Sequence, residues 1–329
     1  MDENTVKLDV KDRKILTYLD INARQSASEL GKKVRLSKDV VNYRIKRLES
    51  LNVIKGYYVV LDISKLGYLN FRVFLKFYNV TPEKEREIID YLNHHPRVGW
   101  LVSVDSHWDM NMLVWAENVY VFKQFWNEFL NHYKNYLEDK WISVITEMVL
   151  YTRGFLLEEG EKYEPNMLIV GGSPEIVNLD DSDLKILKVI ANNARMPLVD
   201  ISRKTNLSAK VVEYRIKNMV KKKVILGFKV LINLDLLRIR YFKVHLTLQN
   251  MTPAKERELM TYAQLHPNIY IVDVAVGGAD FEIEILVKSS DDFHKIVNDI
   301  KRRFAGIIRN IESYNYFKEY KWVYIPLMK

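Results

Sequence analysis

The chain has 329 residues, of which 48% are hydrophobic and 28% charged, with no cysteine and a net charge of +8. That balance suits two or three folded domains and argues against disorder. The lack of cysteine excludes disulfides, thiol nucleophiles, thiolate zinc sites and iron–sulfur clusters, and no apolar run reaches the ~20 residues that cross a bilayer.

In chain order, Asp9 can cap a first helix running to about Asn22, with Ile15, Leu16 and Leu19 as its apolar stripe. Ser26 can cap a short second helix holding Leu30 and Val34. After a turn at Arg35-Leu36, Ser37 caps a third helix with Val41, Ile45 and Leu48 on one face. The spacing of the last two is that of a helix-turn-helix, and Val53–Leu61 reads as a strand or wing. Next come a strand over Phe71–Phe77, a helix from Thr81-Pro82, strands over Val98–Val104 and Met110–Trp115, a helix over Tyr120–Tyr136 and a strand over Trp141–Leu150. This order, βαββαβ, predicts a ferredoxin-like domain. Glu158–Asn178, with Gly171-Gly172-Ser173-Pro174, reads as a linker.

The chain then repeats itself at an offset of 171. Between 8–57 and 179–228, 21 of 50 positions are identical, including Asn22-Ala23-Arg24 with Asn193-Ala194-Arg195 and Tyr43-Arg44-Ile45-Lys46 with Tyr214-Arg215-Ile216-Lys217. The match continues through Thr81-Pro82 and Thr252-Pro253 to Asp109 and Asp280. Unit two therefore predicts strands over Tyr241–Leu248, Ile269–Val276, Phe281–Val287 and Ile307–Tyr316, with helices over Pro253–His266 and Asp291–Phe304. The fold class expected is α+β, two tandem units, each a winged helix-turn-helix followed by a βαββαβ domain. The boundaries expected are 1–65, 66–157, a linker at 158–178, 179–238 and 239–329. Charge follows the same rhythm, at +7 over 7–65, −6 over 66–177, +8 over 178–240 and +1 over 241–329. Two basic blocks at a fixed interval suit a polyanionic partner such as double-stranded DNA.

On the third helix, burial of Val41, Ile45 and Leu48 leaves Lys38, Asp39, Asn42, Tyr43 and Lys46 facing out. Candidate DNA-binding residues are Ser37, Lys38, Asn42, Tyr43, Arg44, Lys46 and Arg47, and in unit two Ser208, Lys210, Glu213, Tyr214, Arg215 and Lys217. Asn can pair with adenine, and Lys and Arg can reach guanine or phosphate. Tyr43 and Tyr214 could equally be packing residues, and Lys221-Lys222-Lys223 could complement a helix dipole or grip phosphate. The two faces differ at Asn42/Glu213, Lys38/Ala209 and Asp39/Lys210, which predicts two unlike half-sites.

Leu8-Asp9-x-x-Asp12-x-x-Ile15-Leu16, Asn22-Ala23-Arg24, Leu36-Ser37, Arg44-Ile45-x-x-Leu48 and Val53-Ile54-x-Gly56, with their unit-two copies, resemble the DNA-binding signature of the Lrp/AsnC transcriptional regulators. Gly277-x-x-Asp280-Phe281 resembles the effector loop of that family. The resemblance implies a sequence-specific regulator, an amino-acid effector at Gly277, Gly278, Ala279 and Asp280, and pairing through the βαββαβ domain. Fusion of two units makes one chain a pseudo-dimer and leaves further homo-oligomerisation open. A plain β-turn whose Asp bonds its own backbone is the competing reading of that loop. In unit one the loop is Asp105-Ser106-His107-Trp108-Asp109, without glycine, and Trp108 would fill a ligand's space.

Two other readings compete. One is a non-specific architectural DNA-binding protein. The other is a siroheme-decarboxylase-like enzyme, whose family shares a two-part fold but carries a His-x-Tyr-Asn type segment where this chain has His107-Trp108-Asp109-Met110. Without a hydrolase, P-loop, dinucleotide or metalloprotease motif, the expectation is a protein that is not an enzyme and needs no cofactor. Met1-Asp2-Glu3-Asn4 lacks the features of a secretory signal, so a cytoplasmic location and no membrane partner are expected.

Overall fold

The structure is a computed structural model, which describes residues 6–157, 161, 163, 165–173, 175–323, 325 and 326. Each unit opens with three helices and one strand. In unit one these are α1 (Val10–Ile21), α2 (Ala27–Val34), α3 (Lys38–Ser50) and β1 (Ile54–Leu61). The βαββαβ part follows as β2 (Leu69–Phe77), α4 (Pro82–His94), β3 (Val98–Asp105), β4 (Met110–Ala116), α5 (Val119–Tyr133) and β5 (Leu137–Leu150). A short β6 (Leu168–Gly171) leads to unit two, with α6 (Asp181–Ile190), α7 (Leu198–Thr205), α8 (Ala209–Lys221) and β7 (Ile225–Ile232). It ends with β8 (Arg240–Leu248), α9 (Pro253–Leu265), β9 (Ile269–Val276), β10 (Phe281–Val287), α10 (Ser290–Arg303) and β11 (Ile308–Trp322).

The capping residues named in the sequence act as expected. Asp9 and Ser26 each form a capping box, with Asp12 and Glu29, and Ser37 and Ser208 accept from the backbone N–H three residues on. Thr81 and Thr252 cap α4 and α9 ahead of a proline in the first turn. The α2–α3 turn is tight. A Cβ placed on Gly31 would lie 2.5 Å from the Leu36 carbonyl oxygen. In unit two the matching residue, Ser202, instead donates its hydroxyl to the matching carbonyl, Leu207. Gly31→Val should therefore destabilise the first helix-turn-helix by about 2 kcal/mol, as overpacking does, read by chemical denaturation. Ser202→Val, at a site already holding a side chain, should cost less.

The predicted wings do not fold back on their own units. β1 and β7 pair with each other, antiparallel, from Ile54 opposite Ile232 to Leu61 opposite Ile225. One two-stranded sheet thus joins the two DNA-binding domains. The predicted linker is not all loop, because β6 adds to the edge of β5 between Leu168 and Gly171. Residues 158–160, 162, 164 and 174 of that linker lie outside the described residues. Its end is held to unit one, where Asp62 accepts from the Gly171 N–H at 3.1 Å and Lys65 pairs with Glu175 at 2.8 Å.

The eight long strands of the βαββαβ parts close on themselves. β5 pairs with β2 in its own unit and with β9 in the other, and β11 pairs with β8 and with β3. With the remaining pairs the order runs β2-β4-β3-β11-β8-β10-β9-β5 and back to β2, antiparallel throughout. This ring leaves none of its eight strands as a free edge along its whole length. Side chains at alternate positions, such as Phe71, Val73 and Leu75, pack outward against α4 and α5. Val244, Leu246 and Ile283 do the same against α9 and α10.

Candidate nucleic-acid interface and barrel interior

In α3, Val41, Ile45 and Leu48 are buried, and in α8 so are Val212, Ile216 and Met219. Opposite these stripes, Tyr43 and Tyr214 are 69% and 70% exposed, too open for the packing role. Ser37, Lys38, Lys46, Ser208, Lys210, Glu213 and Lys217 are also exposed, and Asn42 is half-buried. Lys217 is engaged on its own helix by Glu213, at 2.7 Å.

Three candidate arginines have other work. Arg44 binds Asp9 at 2.6 Å and Asp12 at 2.8 Å, and Arg47 binds Asp12 at 3.0 Å. Arg215 repeats this with Asp180 at 2.8 Å and Asp183 at 2.9 Å. They tie the recognition helix to the first helix of its own unit. The reason is geometric: the carboxylates at the N-termini of α1 and α6 meet the fork of an arginine on the crossing helix. In the folded chain the guanidinium groups of Arg44, Arg47 and Arg215 therefore have a positioning role.

The repeated Asn-Ala-Arg sets the two domains against one another. Arg24 donates to the carbonyls of Ala194 (2.7 Å) and Met196 (3.3 Å), and Arg195 donates to those of Ala23 (2.5 Å) and Gln25 (3.2 Å). These reciprocal bonds flank the β1–β7 sheet and fix the mutual placement of α3 and α8. Beneath them, Asp20 of α1 is fully buried. It accepts from the Arg153 backbone N–H at 2.8 Å, pairs with the Arg153 guanidinium, and lies 3.4 Å from Lys229 of β7. Burial pushes the Lys229 ammonium down to about 8.

The predicted effector loop is already satisfied. Asp280 accepts from the Leu248 N–H at 2.7 Å, and its unit-one counterpart Asp109 accepts from the Phe77 N–H at 2.7 Å. The Gly277 carbonyl accepts from the Trp141 indole at 2.6 Å. A Cβ on Gly278 would approach Glu282 Oε1 to 2.6 Å. Ala279 is buried. Asp280 thus ties its loop to the end of β8, as Asp109 does to the end of β2, and does not bond the backbone of its own turn. Glycine at 277 follows from its φ of +79°. Trp108 is buried among Phe74, Trp141 and Tyr314.

The barrel interior holds residues the sequence reading missed. Arg72 of unit one, 1% exposed, meets Asp273 at 2.9 Å and Glu282 at 3.2 Å, both from unit two. Lys243, fully buried, pairs with Asp273 and with Glu282 at 2.9 Å, and Tyr241 donates to Glu284. Asn111 donates to Tyr316 at 2.7 Å. Burial acts upward on Glu282, but Lys243 and Arg72 hold its carboxyl well below the usual range. Burial raises that of Glu284. Among the described residues, Asn70 Oδ1 and Arg72 Nε have no hydrogen-bond partner. A sequence signal existed: Glu282 and Glu284, like Lys243 and His245, alternate with apolar residues along one strand face. Such alternation ordinarily marks a solvent face, and closure of the ring turns it inward.

Comparisons with known proteins agree with this architecture. An AsnC-type helix-turn-helix domain matches residues 8–49, and a winged helix-turn-helix DNA-binding model matches 179–225. The HTH-type transcriptional regulator LrpA of Pyrococcus horikoshii is 30% identical over 111 residues, which are 34% of this chain and 77% of the relative. The chain belongs to the Lrp/AsnC family. An uncharacterized HTH-type regulator from the same organism is 26% identical over 148 residues, 45% of this chain and 92% of its own. For this Lrp/AsnC protein, then, one relative corresponds to less than half of the polypeptide. Across nearly its whole length the chain shares its fold with the siroheme decarboxylase NirDL, with a TM-score of 0.64, coverage of 97% and 94%, and 12% identity.

Proposed function

We propose that this chain is a sequence-specific, DNA-binding transcriptional regulator in which one polypeptide supplies both recognition helices. The observation that carries the reading is the pairing of two helix-turn-helix domains through β1 and β7, with the Arg24 and Arg195 bonds on either side. The family relatives support it. A fixed pair of helices reads two half-sites about one helical turn, roughly 34 Å, apart or at a multiple of that spacing. Because Glu213 stands in unit two where unit one has Asn42, the half-sites differ in sequence.

Selection of bound DNA from a random pool at physiological salt tests this. The expected result is one motif with two unlike half-sites, preferred over bulk DNA by at least ~10³. Binding without a motif, fading steeply with salt, would leave the architectural alternative. The relatives favour a protein that is not an enzyme. Retention of a tetrapyrrole absorption band by the purified chain would favour instead an activity like that of the decarboxylase whose fold it shares. An amino-acid effector, implied by family resemblance, would meet at Asp280 a carboxylate that already accepts from the Leu248 N–H.

A further inference from the structure

The two units fill the barrel unequally. At the offset of 171, Gly99 of β3 corresponds to Tyr270 of β9. Tyr270 is buried, with its ring 4.4 Å from the Arg153 guanidinium carbon. Gly99 has no side chain to offer, and a cavity of about 110 Å³ opens beside it. The strand segment Tyr58–Leu61 of β1 forms part of the wall. Trp100, Trp115 and Tyr241 contribute aromatic surface, and Asn70, Arg72 and Glu284 contribute polar groups. Met148 and Trp322, also in the wall, are only half-buried and mark the solvent side.

Three features define what would fit. First, the ionic cluster beneath the cavity has two cations, Arg72 and Lys243, against three carboxylates, Asp273, Glu282 and Glu284. His245 also lies 3.5 Å from Glu282, and on the cavity wall itself the group that accepts a cationic head is Glu284. Second, Asn70, 8% exposed, has an acceptor oxygen without a donor. Third, indole and phenol faces attract cations by their quadrupoles. An engineered cavity of about 150 Å³ accommodates benzene, so the occupant here has a body of about four to six carbons.

We propose that this cavity binds a compact organic ammonium ion, a protonated primary amine on a short apolar body, with its head toward Asn70 and Glu284. Arg72 Nε, also without a partner, can donate to a hydroxyl on the same body, so amino alcohols belong to the class. Because β1 is both cavity wall and half of the sheet joining the DNA-binding domains, an occupant bears directly on their placement.

The test is calorimetric titration of the full chain, without DNA, with isopentylamine, isopentanol and isovalerate. Saturable binding of the amine is expected, with the alcohol about tenfold weaker or more and the acid not bound, since a charge-assisted contact is lost. Glu284→Gln and Asn70→Leu should each weaken the amine by about tenfold. Leu113→Phe, which fills the cavity from an apolar wall position, should abolish binding while the melting transition is retained. If the filled variant fails to fold, the two polar variants still decide. No saturable amine binding, preference for the acid, or equal binding of amine and alcohol would overturn the proposal, and none of these bears on DNA recognition.

Discussion

Replacing Lys38, Lys46, Lys210 and Lys217 together by alanine should lower DNA affinity by about 10³ at 0.15 M salt and reduce the salt slope by about four. All four are exposed beside the buried stripes of α3 and α8. Each phosphate neutralised releases close to one counterion, so the loss is worth about fivefold per contact at that ionic strength. Lys217 must break its exposed pair with Glu213 to reach DNA, a small cost for a surface pair. Electrophoretic or fluorescence titrations at several salt concentrations read both numbers. An unchanged slope would remove these lysines from the interface. By contrast, Arg44→Ala should act mainly on stability, because its guanidinium is held by Asp9 and Asp12.

Arg72→Met should destabilise the chain by about 3–5 kcal/mol, the range for breaking a buried ion pair. The substitution is nearly isosteric along the stem, so cavity formation adds little. What remains is three buried carboxylates facing Lys243, with His245 beside Glu282 and the Tyr241 hydroxyl on Glu284. The melting temperature should fall by roughly 10 °C, at about 2–4 °C per kcal/mol for chains of a few hundred residues. Arg72→Met combined with Glu282→Gln should recover part of the loss, since it removes charges of opposite sign together. A double variant as unstable as the sum of the singles would mean that the two groups act independently.

Much of the local structure was legible because its causes are local. Asp9, Ser26, Ser37 and Thr81 announce helix starts by side-chain chemistry within three residues. Val41, Ile45 and Leu48 announce the buried face by period alone. The repeat made the second unit readable from the first. Non-local pairing was not legible. Nothing in Val53–Leu61 says that β1 pairs with a strand about 170 residues away, and the eye supplies a local wing instead. Arg24 and Arg44 both stand in the helix-turn-helix signature. One caps carbonyls of the other domain and the other binds carboxylates of its own. At Asp280 the loop was legible from its glycine and aspartate, but its partner, the Leu248 N–H 32 residues away, was not. The acidic and basic residues of β2, β8, β9 and β10 carry no interior signal in the sequence, because charge in a strand ordinarily lies at the surface.

The ion cluster has a bearing on pairing between molecules. The guanidinium comes from the first half, and all three carboxylates come from the second. Two copies of the first half would bring together two arginines with no acid to answer them, and two copies of the second would confront six carboxylates with two lysines. Each half therefore rejects itself and accepts only the other. A second copy of either half would find no free strand of the ring to join along its whole length. Divergence of the two halves thus favours pairing of unlike units within one chain over exchange of like units between chains.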